Sequence, residues 1–177
     1  MKRYYTIIFT SLVLCLTLLS CGSRNNKAAQ ESVFIHLSAT DSVDGHAMLH
    51  LLNSNGLSLL VYNNGLITHH DNRGVQDLLT LLSEEPERLK GAVVADKITG
   101  KASASLLAAG GVRALFTNII CTSAKELLQS EGIEVYYGEE VPMIKNRLGD
   151  GQCPMDSRLQ YISSIEEAVE ILEGMQL

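Results

Sequence analysis

The chain has 177 residues, 46% of them hydrophobic, with 14 Lys and Arg against 20 Asp and Glu and no Trp. A net charge of −6 and few aromatic residues argue against nucleic-acid binding, because no excess of Lys or Arg is available to replace phosphate counterions. The length suits one domain with a full hydrophobic core.

Residues 1–20 have the form of a targeting segment. Lys2 and Arg3 precede a largely apolar run, Ile7 to Leu19, and the stretch closes Leu18-Leu19-Ser20-Cys21. That core is short for a membrane span and sits at the terminus, as in a secretory signal. A small residue just before a cysteine resembles the bacterial lipobox, which makes Cys21 the expected lipidation site; the alternative is an ordinary signal with an incidental cysteine. Removing the segment takes two of the 14 basic residues and none of the 20 acidic ones, leaving 12 against 20, a charge of −8. A lipid, not a basic surface, is then the expected membrane contact. The protein is expected at the cell envelope, periplasmic or on the outer membrane. Residues 21–42 are polar and form a tether, with Val33 to Leu37 as its tail or a short extra strand.

The remaining residues, 43–177, alternate helix and strand signals. Ala47, Met48, Leu51 and Leu52 share one helical face, and Asn53 to Gly56 ends it. Leu57 to Tyr62 and Leu66 to His70 are strand-like, and Asn63-Asn64-Gly65 between them suits a tight hairpin. Val75, Leu78, Leu79 and Leu82 mark a second helix that ends before Pro86. Ala92 to Ala95 is a short apolar strand, and a charged loop with Asp96, Lys97, Gly100 and Lys101 leads into a helix closed by Gly110-Gly111. Val112 to Ile120 is a strand, and Ser123-Ala124-Lys125-Glu126 has the form of a capping box. Ile133 to Tyr137 is a further strand and Met143 to Arg147 a short edge element before the turn Gly149-Asp150-Gly151. Ile165, Ala168, Val169 and Leu172 form a last helix capped by Ser163 or Ser164. Helical crossovers joined to an antiparallel hairpin imply a three-layer α/β/α domain with a mixed sheet of about five strands.

GAVVADKITGKASA at 91–104, the cysteine-led stretch Ile120 to Leu128, GIEVYYGEEVPMIKNR at 132–147 and CPMD at 153–156 together resemble the bacterial family domain of unknown function 1893. That resemblance spans Leu57 to about Asp156 and implies a cytidine deaminase-like fold. Zinc deaminases hold their metal with a His or Cys and a Pro-Cys-x-x-Cys pair, and a nearby Glu moves protons. Here Gly100-Lys101-Ala102 stands where the first ligand and the Glu belong, and Ile120-Cys121-Thr122-Ser123-Ala124 keeps one cysteine of the pair. One thiolate does not make a three-ligand zinc centre. Zinc-dependent deamination is therefore not expected, and neither a metal site nor a cofactor is assigned.

The replacements favour an anion. Lys101 at a helix start adds charge to free N–H groups, which suits a small anionic or nucleotide-like ligand bound by Asp96, Lys97, Gly100, Lys101, Cys121, Asn146, Arg147 and Asp156. The alternatives are a local ion pair of Asp96 with Lys97 or Lys101, and of Arg147 with Glu139 or Glu140. A Walker A loop is excluded, since Ala102 holds the place of its Ser or Thr. Cys153 is the candidate nucleophile, and Cys121, just ahead of a helix, is second. The two thiols also admit a disulfide or purely structural roles. His46 and His50 lack a third ligand, and His69 and His70 point to opposite faces. Ligand binding, a cysteine enzyme and a ligand-free interaction module thus remain distinct readings.

Overall fold

The computed structural model describes residues 43–72 and 74–175. The expected signal segment 1–20, the expected lipidation site Cys21, the expected tether 21–42 and its Val33 to Leu37 tail lie outside the described residues. Among the described residues, no helix is long and apolar enough to cross a membrane.

The domain is α/β with one mixed five-stranded sheet. In chain order the elements are α1 (Gly45–Ser54), β1 (Leu59–Asn63), β2 (Leu66–His70), α2 (Gln76–Glu84), β3 (Val93–Thr99), α3 (Lys101–Ala109), β4 (Ala114–Cys121), α4 (Thr122–Ser130), β5 (Glu134–Val141), α5 (Pro154–Arg158) and α6 (Ile165–Glu173). The sheet order is β2-β1-β3-β4-β5. β1 pairs antiparallel with β2 and β3, and β3, β4 and β5 run parallel. The β1–β2 hairpin turns on Asn64 (φ 50°) and Gly65 (φ 79°), two successive left-handed residues as a type I′ turn requires.

Alternation along the strands divides the core between the two faces. Leu60, Val93, Ala95 and Ala114 pack on Met48 and Leu52 of α1. Leu59, Val61, Val94 and Leu115 face the other way, onto a larger cluster that includes Leu106 and Leu107 of α3, Leu128 of α4 and Leu172 of α6. The outcome is the expected three layers. α1 starts at Asp44, whose side chain accepts the backbone N–H of His46 and Ala47. Ser164, one of the two serines considered, caps α6 by accepting the Glu167 N–H.

Four local expectations change. β3 extends to Thr99, so Asp96 and Lys97 belong to the strand and not to a loop; β-branched Ile98 and Thr99 continue the ladder against Ile119 and Ile120. The capping box at Ser123 does not form: α4 begins at Thr122, its N-cap is Cys121, and no side chain caps it. Met143 to Arg147 makes no strand, only a single bridge between Lys145 and Gln152, because the chain folds back on itself at Gly149. The short helix α5 is an addition, and Pro154 at its first position suits it.

Candidate functional site

A cleft of about 640 Å³ opens beside the β3–α3 junction. Its walls bring together Asp96, Lys97 and Gly100 from that junction with Asn146, Arg147, Cys153 and Asp156 from the stretch after β5. Seven of the residues singled out in the sequence therefore share one concavity, although the two segments lie about fifty positions apart. Lys101 and Cys121 stand outside it. Lys101 turns its ammonium to the Ile162 carbonyl at 2.8 Å, which ties the entrance of α6 to α3. Cys121 is 2% exposed, with its thiol 3.4 Å from Ser123 Oγ.

The start of α3 is already occupied by the protein's own anion. Gly100 is the N-cap and has no side chain to offer. Asp156, from α5, supplies the cap instead: its Oδ1 accepts the Ala102 N–H at 3.0 Å. Gly100 is required by space, since a Cβ there would lie 2.7 Å from Asp156 Cγ. A carboxylate at a helix N-terminus is stabilised by the free N–H groups and the helix dipole. Burial nevertheless raises the Asp156 carboxyl above its ordinary range, opposed by the Ala102 and Lys101 N–H groups and by the Lys101 charge.

Asp96 is the second buried acid of the cleft, 8% exposed. Thr99 Oγ1 lies 2.8 Å from Asp96 Oδ2 and 3.1 Å from Thr117 Oγ1, and Thr117 Oγ1 donates to the Ile119 carbonyl at 3.0 Å. Each hydroxyl carries one proton, so an ionised Asp96 leaves these contacts one proton short, and a neutral Asp96 supplies it. Burial pushes the Asp96 carboxyl up to about 7, against the opposing hydrogen bonds of Thr99, Ile98 and Lys97. Asp96 makes no ion pair among the described residues, and the local pairing with Lys97 or Lys101 is not formed. Glu140 pairs with Lys125 at 2.6 Å, not with Arg147.

The outer cleft is basic. Lys97, Lys145 and Arg147 are exposed lining residues, and none has an ion-pair partner among the described residues. Lys145 was not singled out in the sequence; it lines this mouth, on the stretch that bridges to Gln152. Apolar side chains such as Ile98, Ile144 and Met155 supply much of the wall. Cys153 is half-buried there, and both it and Cys121 are free thiols. No histidine is among the described lining residues.

The resemblance to deaminases would place zinc near Gly100 and Cys121. The donors there do not suit it: Gly100 has no side chain, Lys101 is a cation bound to a carbonyl, and Cys121 is a single buried thiol. Among the described residues, no group of three or more His, Cys, Asp or Glu is arranged to hold a metal ion.

Comparisons with known proteins agree on the family. No curated protein matches the chain. The crystal structure of a DUF1893 family protein (TM1506) from Thermotoga maritima is similar, with 25% identity, a TM-score of 0.68 and coverage of 78% of this chain and 95% of that one. The family model described as TM1506, domain of unknown function (DUF1893), matches residues 47–175, and the chain accordingly belongs to the DUF1893 family.

Proposed function

We propose that this domain is a zinc-free, deaminase-like module, lipid-anchored at the cell envelope through Cys21, whose cleft binds a small anionic ligand of up to nucleotide size. The observation that carries the reading is the grouping of Lys97, Lys145 and Arg147, none in an ion pair among the described residues, at the mouth of one cleft. Its volume of about 640 Å³ falls in the range of small-molecule sites, about 300–1,000 Å³. Arg offers two parallel donors to a phosphate or carboxylate and Lys a point charge. The apolar wall lowers the local dielectric and strengthens both. The β3–α3 and β4–α4 crossovers, with the antiparallel hairpin beyond β3, support the deaminase-like assignment.

Thermal denaturation with inorganic phosphate, pyrophosphate or AMP tests this. A ligand at a hundred times its Kd adds about 2.7 kcal/mol of stability. The wild type is expected to be stabilised by at least one of these anions, and the Lys97→Ala/Arg147→Ala protein much less. Equal shifts in both proteins, or none in either, would refute the assigned mouth.

The half-buried Cys153 thiol on the same wall keeps a second reading open, a cysteine nucleophile. Iodoacetamide labelling followed by mass spectrometry separates the two. A catalytic Cys153 reacts faster than a model thiol at neutral pH; a rate at or below the model value rules the nucleophile out.

A further inference from the structure

Two residues that line the cleft each hold an enclosed acceptor oxygen that no group among the described residues satisfies. Asp156 Oδ2 and Asn146 Oδ1 are both enclosed and without a hydrogen-bond partner. The orientation of Asn146 is set by its Nδ2, which donates to Asp150 at 2.8 Å; turning the amide over would bring two acceptors together. The other Asp156 oxygen is taken up by the Ala102 N–H. Buried polar atoms of this kind are uncommon, because each gives up its water without a replacement. Asp96 adds a second carboxyl to the same wall. Neither acid has an ion-pair partner among the described residues, and the Lys101 ammonium is committed to Ile162. Among the described residues, no cation therefore pairs with either acid, while Lys97, Lys145 and Arg147 stand at the mouth.

We propose that the inner end of the cleft takes a nitrogen group bearing several N–H donors, an ammonium or amidine, of the same ligand whose anionic end meets Lys97 and Arg147. This rests on the anion-binding reading above and narrows it: the ligand is an amine and an anion at once. A cation is favoured over a neutral hydroxyl because a buried carboxylate is stabilised by opposite charge as well as by hydrogen bonds. Asn146 Oδ1 and Asp156 Oδ2 are both enclosed, so such an occupant requires the 146–156 segment to shift and present them.

The test uses probes matched in phosphate and differing in nitrogen: 2-aminoethyl and 4-aminobutyl phosphate against ethyl and butyl phosphate, titrated calorimetrically into the folded protein. The amino member of at least one pair is expected to bind tenfold or more tightly than its alkyl partner. Asp156→Asn and Asn146→Ala are expected to bring that ratio below threefold, whereas Lys97→Ala weakens both members. Asn146 sits in a turn, so its variant tests the idea even where Asp156→Asn fails to fold. Equal binding within both pairs overturns the amine and leaves the anion site standing. Absence of binding by all four overturns both. Stabilisation by Mg²⁺ or Ca²⁺ without any amine preference overturns it in favour of a metal ion.

Discussion

Asp156 lies against Gly100 and caps the helix that Gly100 begins: its Oδ1 takes the Ala102 N–H at 3.0 Å across 54 positions of sequence. The contact joins the strand–helix junction of β3 and α3 to the segment that forms the opposite wall of the cleft. The site and the fold therefore share a bond, and altering it affects both.

Gly100→Ala is expected to destabilise the domain by about 1–3 kcal/mol, the usual cost of overpacking a filled interior, because the new methyl collides with the Asp156 carboxylate. Asp156→Ala removes the cap and is expected to cost about 0.5–2 kcal/mol; Asp156→Asn keeps an acceptor and costs less. Urea denaturation measures all three. A Gly100→Ala/Asp156→Ala protein less destabilised than the sum of the singles would show that the two positions meet.

Asp96 predicts a specific pH dependence. Its carboxyl titrates near 7 in the folded protein against 3.8 for the ordinary group. Between those values the folded state holds a proton that the unfolded state has lost. This contribution to stability is therefore complete below about pH 4, declines as pH rises to about 7 and is then constant. The span is at most about 4 kcal/mol, from about 1.36 kcal/mol per pH unit. Asp96→Asn imitates the neutral acid and is expected to remove the decline, gaining on the wild type as pH rises. Parallel stability profiles for the two proteins from pH 4 to 8 would contradict this.

Lys101 is expected to matter for stability more than for ligands. Lys101→Met removes the 2.8 Å bond to the Ile162 carbonyl, at a cost of about 1 kcal/mol for a partly exposed hydrogen bond. Phosphate or AMP affinity is expected to stay within about twofold of wild type, since a residue outside the cleft gives up no direct contact. A tenfold loss of affinity at unchanged stability would return Lys101 to the site.

Gly45 supports the other face of the sheet. A Cβ there overlaps the Phe116 ring, which is stacked on Tyr136 at 4.5 Å and met edge-on by His46. Gly45→Ala must push Phe116 out of that stack, and a loss of about 1–3 kcal/mol in urea denaturation is expected.

What the sequence determined by itself follows from short-range physics. The 3.6-residue periodicity of α1, α2 and α6, the Asn64-Gly65 turn and the strand–helix alternation depend on neighbours in the chain, and together they specify a three-layer domain with a mixed sheet. The family was legible in motifs in the same way, and so were Asp96, Gly100 and Asp156 as single residues of interest. What only the tertiary structure decided is which of these residues meet. Asp156, not Ser123 or Lys101, answers a helix start, because α5 brings its carboxylate to an N–H group that Gly100 leaves open. Lys97 stays in the cleft and Lys101 leaves it, since extending β3 through Thr99 sets the first at the mouth and the turn into α3 aims the second at Ile162. Local patterns record who is adjacent along the chain; the burial of Asp96 and Asp156 together is a property of the closed fold.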